Sequence, residues 1–166
     1  MIVQSDSHPD WLGSLFYLPH AARVLCVVYF GYRAIPGLYL AELWGPVLIY
    51  PDVYNFYPMI PGLLSVLSVP FALSTLNGFG FPLGNTADSP LNKRNYKHIA
   101  LITFLSAVFN ALLINISLTL LHLNSQARNA DVEQILRFFI GDILGTAIVL
   151  IVLAVILNPL FNNNQN

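Results

Sequence analysis

The sequence predicts an all-α integral membrane protein of about five transmembrane helices, the first two forming a kinked hairpin. Composition is the first observation behind this. Of the 166 residues 56% are hydrophobic and 9% are charged, where a soluble domain carries about a quarter charged. A mean hydropathy of +0.66 points the same way. Continuity is the second. Crossing the ~30 Å hydrocarbon core takes about 20 apolar residues in a helix. Two runs supply them without a break, Ile99 to about Leu121 and about Phe138 to Phe161. The third is that the alternation of a β-barrel strand is absent, so the apolar segments read as helices.

The expected spans cover approximately residues 12–30, 35–50, 59–76, 99–121 and 138–160, within a single transmembrane domain over 1–166. The first two need the most argument. "WLGSLFYLPHAARVLCVVYF" is interrupted by "GYRAIPG" before "LYLAELWGPVLIY" continues. Gly31 and Pro36 flank Arg33 as a tight turn, glycine ending one helix and proline opening the next. Pro19 and the Gly45–Pro46 pair should bend the two helices. The alternative is one re-entrant unit followed by three spans. In the third span, Pro61 suits a first turn and Pro70 should kink the middle. Residues 77–96 are rich in Gly, Pro and Asn, which is loop chemistry, and residues 122–134 are polar.

Lysine and arginine set the orientation. With five spans, one side holds Arg33, Lys93, Arg94, Lys97 and the C-terminus. The other holds Asp6, Asp10, Asp52, Arg128 and Arg137. Four cations against two place the N-terminus outside and the C-terminus in the cytoplasm. No basic n-region opens the chain as it does a signal peptide. A net charge of −1 without a basic patch gives no basis for nucleic-acid binding. Catalytic signatures are wanting too: there is no G-x-S-x-G, no H-E-x-x-H and no phosphate loop. His8, His98 and His122 are scattered at loops or span ends rather than spaced as metal ligands. The lone Cys26 reads as a buried small hydrophobe. A non-enzymatic protein without metal or cofactor is the expectation.

Charge inside the lipid is rare and marks candidate sites. Arg23, Glu42 and Asp142 fall inside predicted spans, with His20 beside them. Arg23 precedes Gly31 by eight residues and Glu42 follows Pro36 by six. At 1.5 Å per residue they lie roughly 12 Å and 9 Å below one turn, close enough in depth to pair. His20 shares the face of Arg23, three residues away. Asp142, sixteen residues before Asn158, lies roughly 24 Å from the cytoplasmic end. A cluster of His20, Arg23 and Asp142 beneath the outer face would hold a ligand's carboxylate or amine, or serve only as a buried network.

Small and polar stripes mark helix contacts. Gly141 and Gly145 form G-x-x-x-G, which lets another helix approach closely, and Gly37, Ala41 and Gly45 make a longer stripe of small residues. Thr103, Ser106, Asn110 and Ser117 share one face of the fourth helix and read as interhelical hydrogen-bonding groups. Asn115-Ile-Ser117 matches a glycosylation sequon but would lie in the lipid.

Three patterns together resemble the first type of membrane-associated sensor domain, the MASE domains that precede bacterial signalling enzymes. A proline-containing helix start and a turn of the form G-R/Y-R-x-x-P-G are matched by Pro19, Gly31, Arg33, Pro36 and Gly37, and a later G-D-x-x-G by Gly141, Asp142 and Gly145. The resemblance covers Trp11 to Phe161. It departs at "HAAR", where the family more usually has "PAG". The family's first span, last spans and cytoplasmic output domain are expected to be missing. The resemblance implies a multi-pass subunit of the bacterial inner membrane, sensor-like and non-enzymatic. Such a subunit would act by binding other membrane proteins or copies of itself in a signalling or multi-subunit assembly. A small-solute binding or transport component and a purely structural scaffold are the alternatives.

Overall fold

The structure is a computed structural model that describes residues 17–49, 59–81, 96–120 and 132–162. Asp6, Asp10, Asp52, Lys93, Arg94 and Arg128 lie outside the described residues, as do His8, His122 and the first few residues of the expected first span. The described residues are all-α. Helix α1 is Leu18–Phe30, a 3-10 turn covers Gly31–Ala34, and α2 is Ile35–Ile49. Then follow α3 (Met59–Gly78), α4 (Tyr96–Leu120) and α5 (Val132–Asn162).

Four units are long and apolar enough to cross a membrane: Leu18–Gly45, Met59–Gly78, Lys97–Ser117 and Val132–Ile156. The chain is a multi-pass membrane protein. The five separate spans expected resolve into four because α1 and α2, with the turn between them, count as one helical unit. Pro19 is the physical reason on the α1 side. It occupies the first turn of the helix instead of bending its middle, where its missing amide costs nothing. That leaves α1 with 13 residues, about 20 Å of rise against a ~30 Å core. The 15 residues of α2 run on through Pro46, and they too fall short alone.

The α1–α2 unit is not straight. A continuous helix would separate Arg23 from Glu42 by about 28 Å, yet their side chains meet at 2.6 Å. Gly31 makes the bend. Its φ of +63° lies in the left-handed region that favours glycine, and its amide still donates to the Val27 carbonyl to close α1. Pro36 then sits in the first turn of α2, and α2 packs along α3.

Helix α3 continues through Pro70, which removes the amide that would bond the Val66 carbonyl. It closes on Gly80, at φ +79°, with the Gly80 amide bonded to the Asn77 carbonyl and that of Phe81 to Leu76. α4 packs between α3 and α5, and α1 lies across all three. The core has two storeys. Val24, Val27, Val28, Val69, Leu76, Ile99 and Ile102 fill the storey nearer the 31–34 turn. The other storey is polar, and it begins where α1 begins.

That beginning is anchored by backbone. The Tyr17 amide donates to the Gly141 carbonyl at 3.0 Å. A Cβ placed on Gly145 would stand 2.5 Å from the Tyr17 carbonyl oxygen and 2.6 Å from its carbon. The G-x-x-x-G of α5 therefore receives the chain entering α1 and not the side of another helix. Gly145→Ala is expected to cost about 1–3 kcal/mol through overpacking against atoms that cannot rotate away. Gly78→Ala, with nothing within 4 Å of the added atom, serves as the neutral control. Thermal unfolding in mild detergent reads both.

Candidate functional site

Every intramembrane ionisable residue picked out by sequence lies buried in the bundle. Exposure is 0% for His20, 2% for Arg23, 8% for Glu42 and 0% for Asp142. They fall into two linked groups.

The first group is built on the bend at Gly31. Arg23, two turns before it on α1, and Glu42, on α2, pair through Nη2 and Oε2 at 2.6 Å. The same Nη2 donates to the Tyr17 hydroxyl at 2.8 Å, and that hydroxyl donates to Glu42 Oε1 at 3.3 Å. The guanidinium carbon also stands 5.1 Å from the Tyr17 ring centroid, within range of a cation–π contact. Both carboxylate oxygens are thus occupied. A buried charge is tolerable only when paired and hydrogen-bonded, and this triangle does both.

The second group crosses the bundle from α3 to α1. Ser65 Oγ donates to Asn110 Oδ1 at 2.8 Å, and Asn110 Nδ2 donates to Asp142 Oδ2 at 2.6 Å. Asp142 Oδ2 stands 3.5 Å from His20 Nδ1. The opposite ring nitrogen, His20 Nε2, meets Ser106 Oγ at 3.1 Å, and Ser106 in turn donates to the Thr103 carbonyl. One residue each from α1, α3 and α5 and two from α4 make a continuous polar chain through an apolar protein. Among the described residues, the buried polar atoms without a hydrogen-bond partner are His20 Nδ1, Arg23 Nη1, Thr103 Oγ1, Asp142 Oδ1 and Thr146 Oγ1.

The cluster anticipated from sequence joined His20, Arg23 and Asp142. His20 and Asp142 meet, while Arg23 turns instead to Glu42 and Tyr17. On α4, the polar stripe divides: Ser106 and Asn110 bond other helices, while Ser117 Oγ donates to the Ile114 carbonyl of its own helix. Tyr17, Ser65 and Thr146 were not foreseen. For Thr146 there was a signal, since it follows Asp142 by four residues and so shares its face. Tyr17 and Ser65 had none beyond being polar-tipped residues in apolar surroundings.

The other stripe is open. Gly37 and Ala41 are exposed and Gly45 is half-buried, and added Cβ atoms on Gly37 and Gly45 would meet nothing within 4 Å. Leu40, Trp44 and Leu48 stand out beside them, with 59%, 67% and 75% exposure. Between the limbs of the bend lies an open apolar cleft of about 370 Å³, lined by Cys26, Phe30, Arg33, Ala34, Gly37 and Leu38. Cys26 is half-buried there. Of the positions matched to the sensor-domain pattern, Pro19 opens α1, Gly31 and Arg33 form the turn, and Pro36 and Gly37 open α2. Among the described residues no three of His, Cys, Asp and Glu are grouped to hold a metal ion.

No protein-family model, curated protein or solved structure matches this chain.

The arrangement makes a sharp energetic prediction. Glu42→Gln leaves the Arg23 charge buried and short of its counter-charge, a loss of about 3–5 kcal/mol for breaking such a pair. Replacing both partners by apolar residues of similar size, Arg23→Met with Glu42→Leu, should recover most of that stability. Denaturation in detergent micelles compares the three proteins.

Proposed function

We propose that the chain is a non-enzymatic membrane subunit that acts by binding other membrane proteins, or further copies of itself, through α2. The observation that carries this is the Gly37–Ala41–Gly45 face with Leu40, Trp44 and Leu48 around it. Small residues let helix backbones approach closely in lipid, where packing drives association. The corresponding G-x-x-x-G of α5 is already filled from within the bundle by Tyr17. That of α2 is not filled by any described residue. The remaining exposed apolar side chains, such as Phe104, Ile151 and Val155, suit contact with lipid tails.

Resemblance to the sensor domains adds a class for such a subunit: part of a bacterial inner-membrane signalling or multi-subunit assembly. A purely structural scaffold would use the same surface without regulation. For sidedness, Arg33 and Lys97 share one end of the bundle, and at the other Arg137 is paired with Glu133 on its own helix. Among the described residues the greater number of cations at the Arg33 end argues that this end is cytoplasmic. With α1 and α2 read as a hairpin, the chain returns to its starting side before α3 begins. The N-terminus is then outside and the C-terminus inside, whether the first unit forms two short spans or one re-entrant hairpin.

A second reading, small-solute binding, is favoured by the unpartnered polar atoms around Asp142. One experiment separates the two. Gly37→Leu with Gly45→Leu adds bulk where the bundle itself has room, so the melting temperature of the isolated chain should hold. Cross-linking and mass measurement in nanodiscs, together with capture of bound membrane proteins, should show association lost. A wild-type chain that stays single and unbound, yet is stabilised by a small solute, would replace this reading with the second.

A further inference from the structure

We propose that His20 and Asp142 form a binding site for a single proton, held between imidazole Nδ1 and carboxyl Oδ2, and that the seat of α1 on α5 depends on it. The inference stands apart from partner binding, since it concerns the interior of one chain.

Hydrogen-bond direction makes the argument. A serine hydroxyl has one hydrogen to give, and Ser106 gives it to the Thr103 carbonyl at 3.1 Å. With that hydrogen on the carbonyl, Ser106 accepts from His20 Nε2, also 3.1 Å away, in the tautomer that carries its hydrogen on Nε2. On a neutral ring Nδ1 is then a bare lone pair. It faces Asp142 Oδ2 at 3.5 Å, with both side chains fully buried. Oδ2 cannot turn elsewhere, because Asn110 Nδ2 holds it at 2.6 Å and Asn110 is fixed in turn by Ser65. A lone pair against a carboxylate repels; a proton between them makes the contact attractive, whichever atom owns it.

Charge balance leads to the same count. The groups around the pair are the Arg23 guanidinium from α1, the Glu42 carboxylate from α2 and the Tyr17 phenol. α3 and α4 present only neutral Ser65, Thr103, Ser106 and Asn110, and α5 adds Thr146. Arg23 and Glu42 cancel each other at 2.6 Å. His20 and Asp142 sum to zero only with the extra proton; without it one net negative charge is left in a low-dielectric interior. Uptake adds one proton from water to Nδ1 or Oδ2 and breaks no covalent bond. Release reverses that step and restores the repulsion across the α1–α5 contact. Tyr17, which closes this contact by its amide on Gly141, lies three residues from His20, so the site acts as a proton-loaded latch on α1.

The test uses the full chain as single copies in lipid nanodiscs. Nitrogen NMR of labelled histidine reads His20, assigned by His20→Gln, and infrared spectroscopy reads the Asp142 carboxyl group, assigned by Asp142→Asn. Near neutral pH the expected result is one proton per pair: either both His20 nitrogens protonated, or Asp142 in its acid form. Whichever signature is present should vanish as pH rises, with amide exchange at Tyr17 speeding up in the same range. In Asp142→Asn, His20 should keep hydrogen on Nε2 alone at every pH. A folded wild-type chain with a bare Nδ1 and an ionised Asp142 at neutral pH would overturn the site. Loss of the proton with Tyr17 exchange unchanged would overturn the latch. The wild-type spectra decide the first point even where a variant does not fold.

Discussion

The close approach of the Tyr17 backbone to Gly145, with the Tyr17 amide on the Gly141 carbonyl, is the constraint on which this structure depends. A helix that starts inside apolar surroundings leaves its first amides without intrahelical partners, and in lipid no water satisfies them. Docking the entry of α1 on a glycine-lined stretch of α5 gives one of those groups an acceptor. It also fixes where α1 starts. Three residues later His20 faces Asp142, and six residues later Arg23 reaches Glu42. A side chain at position 145 would push the whole of α1 outward, and both polar groups would lose register together.

Two opposite requirements meet in α5. The helix must be apolar to lie in a bilayer, and along its outer face Ile140, Leu144, Ile148 and Ile151 are exposed. Its inner face instead carries Gly141, Asp142, Gly145 and Thr146, all buried. Glycine brings neighbouring backbone near, and that closeness surrounds the aspartate with protein instead of lipid. Asn110 and His20 can then reach it from two other helices. The carboxyl group and the glycines are one device: without the glycines Asp142 would face a gap, and without Asp142 the close contact would have no polar partner to select it.

Much of this was legible in sequence, and the pieces that were not share a cause. Equal depth below the Gly31–Pro36 turn was enough to couple Arg23 with Glu42, because helical rise is a fixed length per residue. The glycines of α5 announced a close contact, as their type implies. What they contact was hidden, since Tyr17 contributes backbone and backbone leaves no mark in residue identity. Pro19 shows a similar limit. Proline is compatible with a bend or with a first turn, and only the position of the helix start, which the tertiary contact to α5 sets, decides between them. Ser65 escaped notice because a lone hydroxyl in an apolar helix usually bonds its own backbone, as Thr75 does to Phe71. Its selection by Asn110 is a property of the packed bundle.

The distribution of the polar groups also says what they contribute. Interhelical hydrogen bonds inside membrane proteins are worth only about 0.6 kcal/mol on average, because the separated helices find other partners. Four such contacts cannot hold the bundle together against the packing of Val24, Val27, Val69, Ile99 and Ile102 in the apolar storey. They can discriminate between registers, however. Sliding α1 by one turn along α5 would move His20 off Asp142, leaving the buried carboxyl group unmatched at several kcal/mol. The apolar storey thus supplies affinity between helices, and the polar storey chooses one arrangement among many that lipid would tolerate. A register chosen by charge is also one that a change of charge can release, which is why the balance at His20 and Asp142 matters more to this fold than their few hydrogen bonds alone would imply.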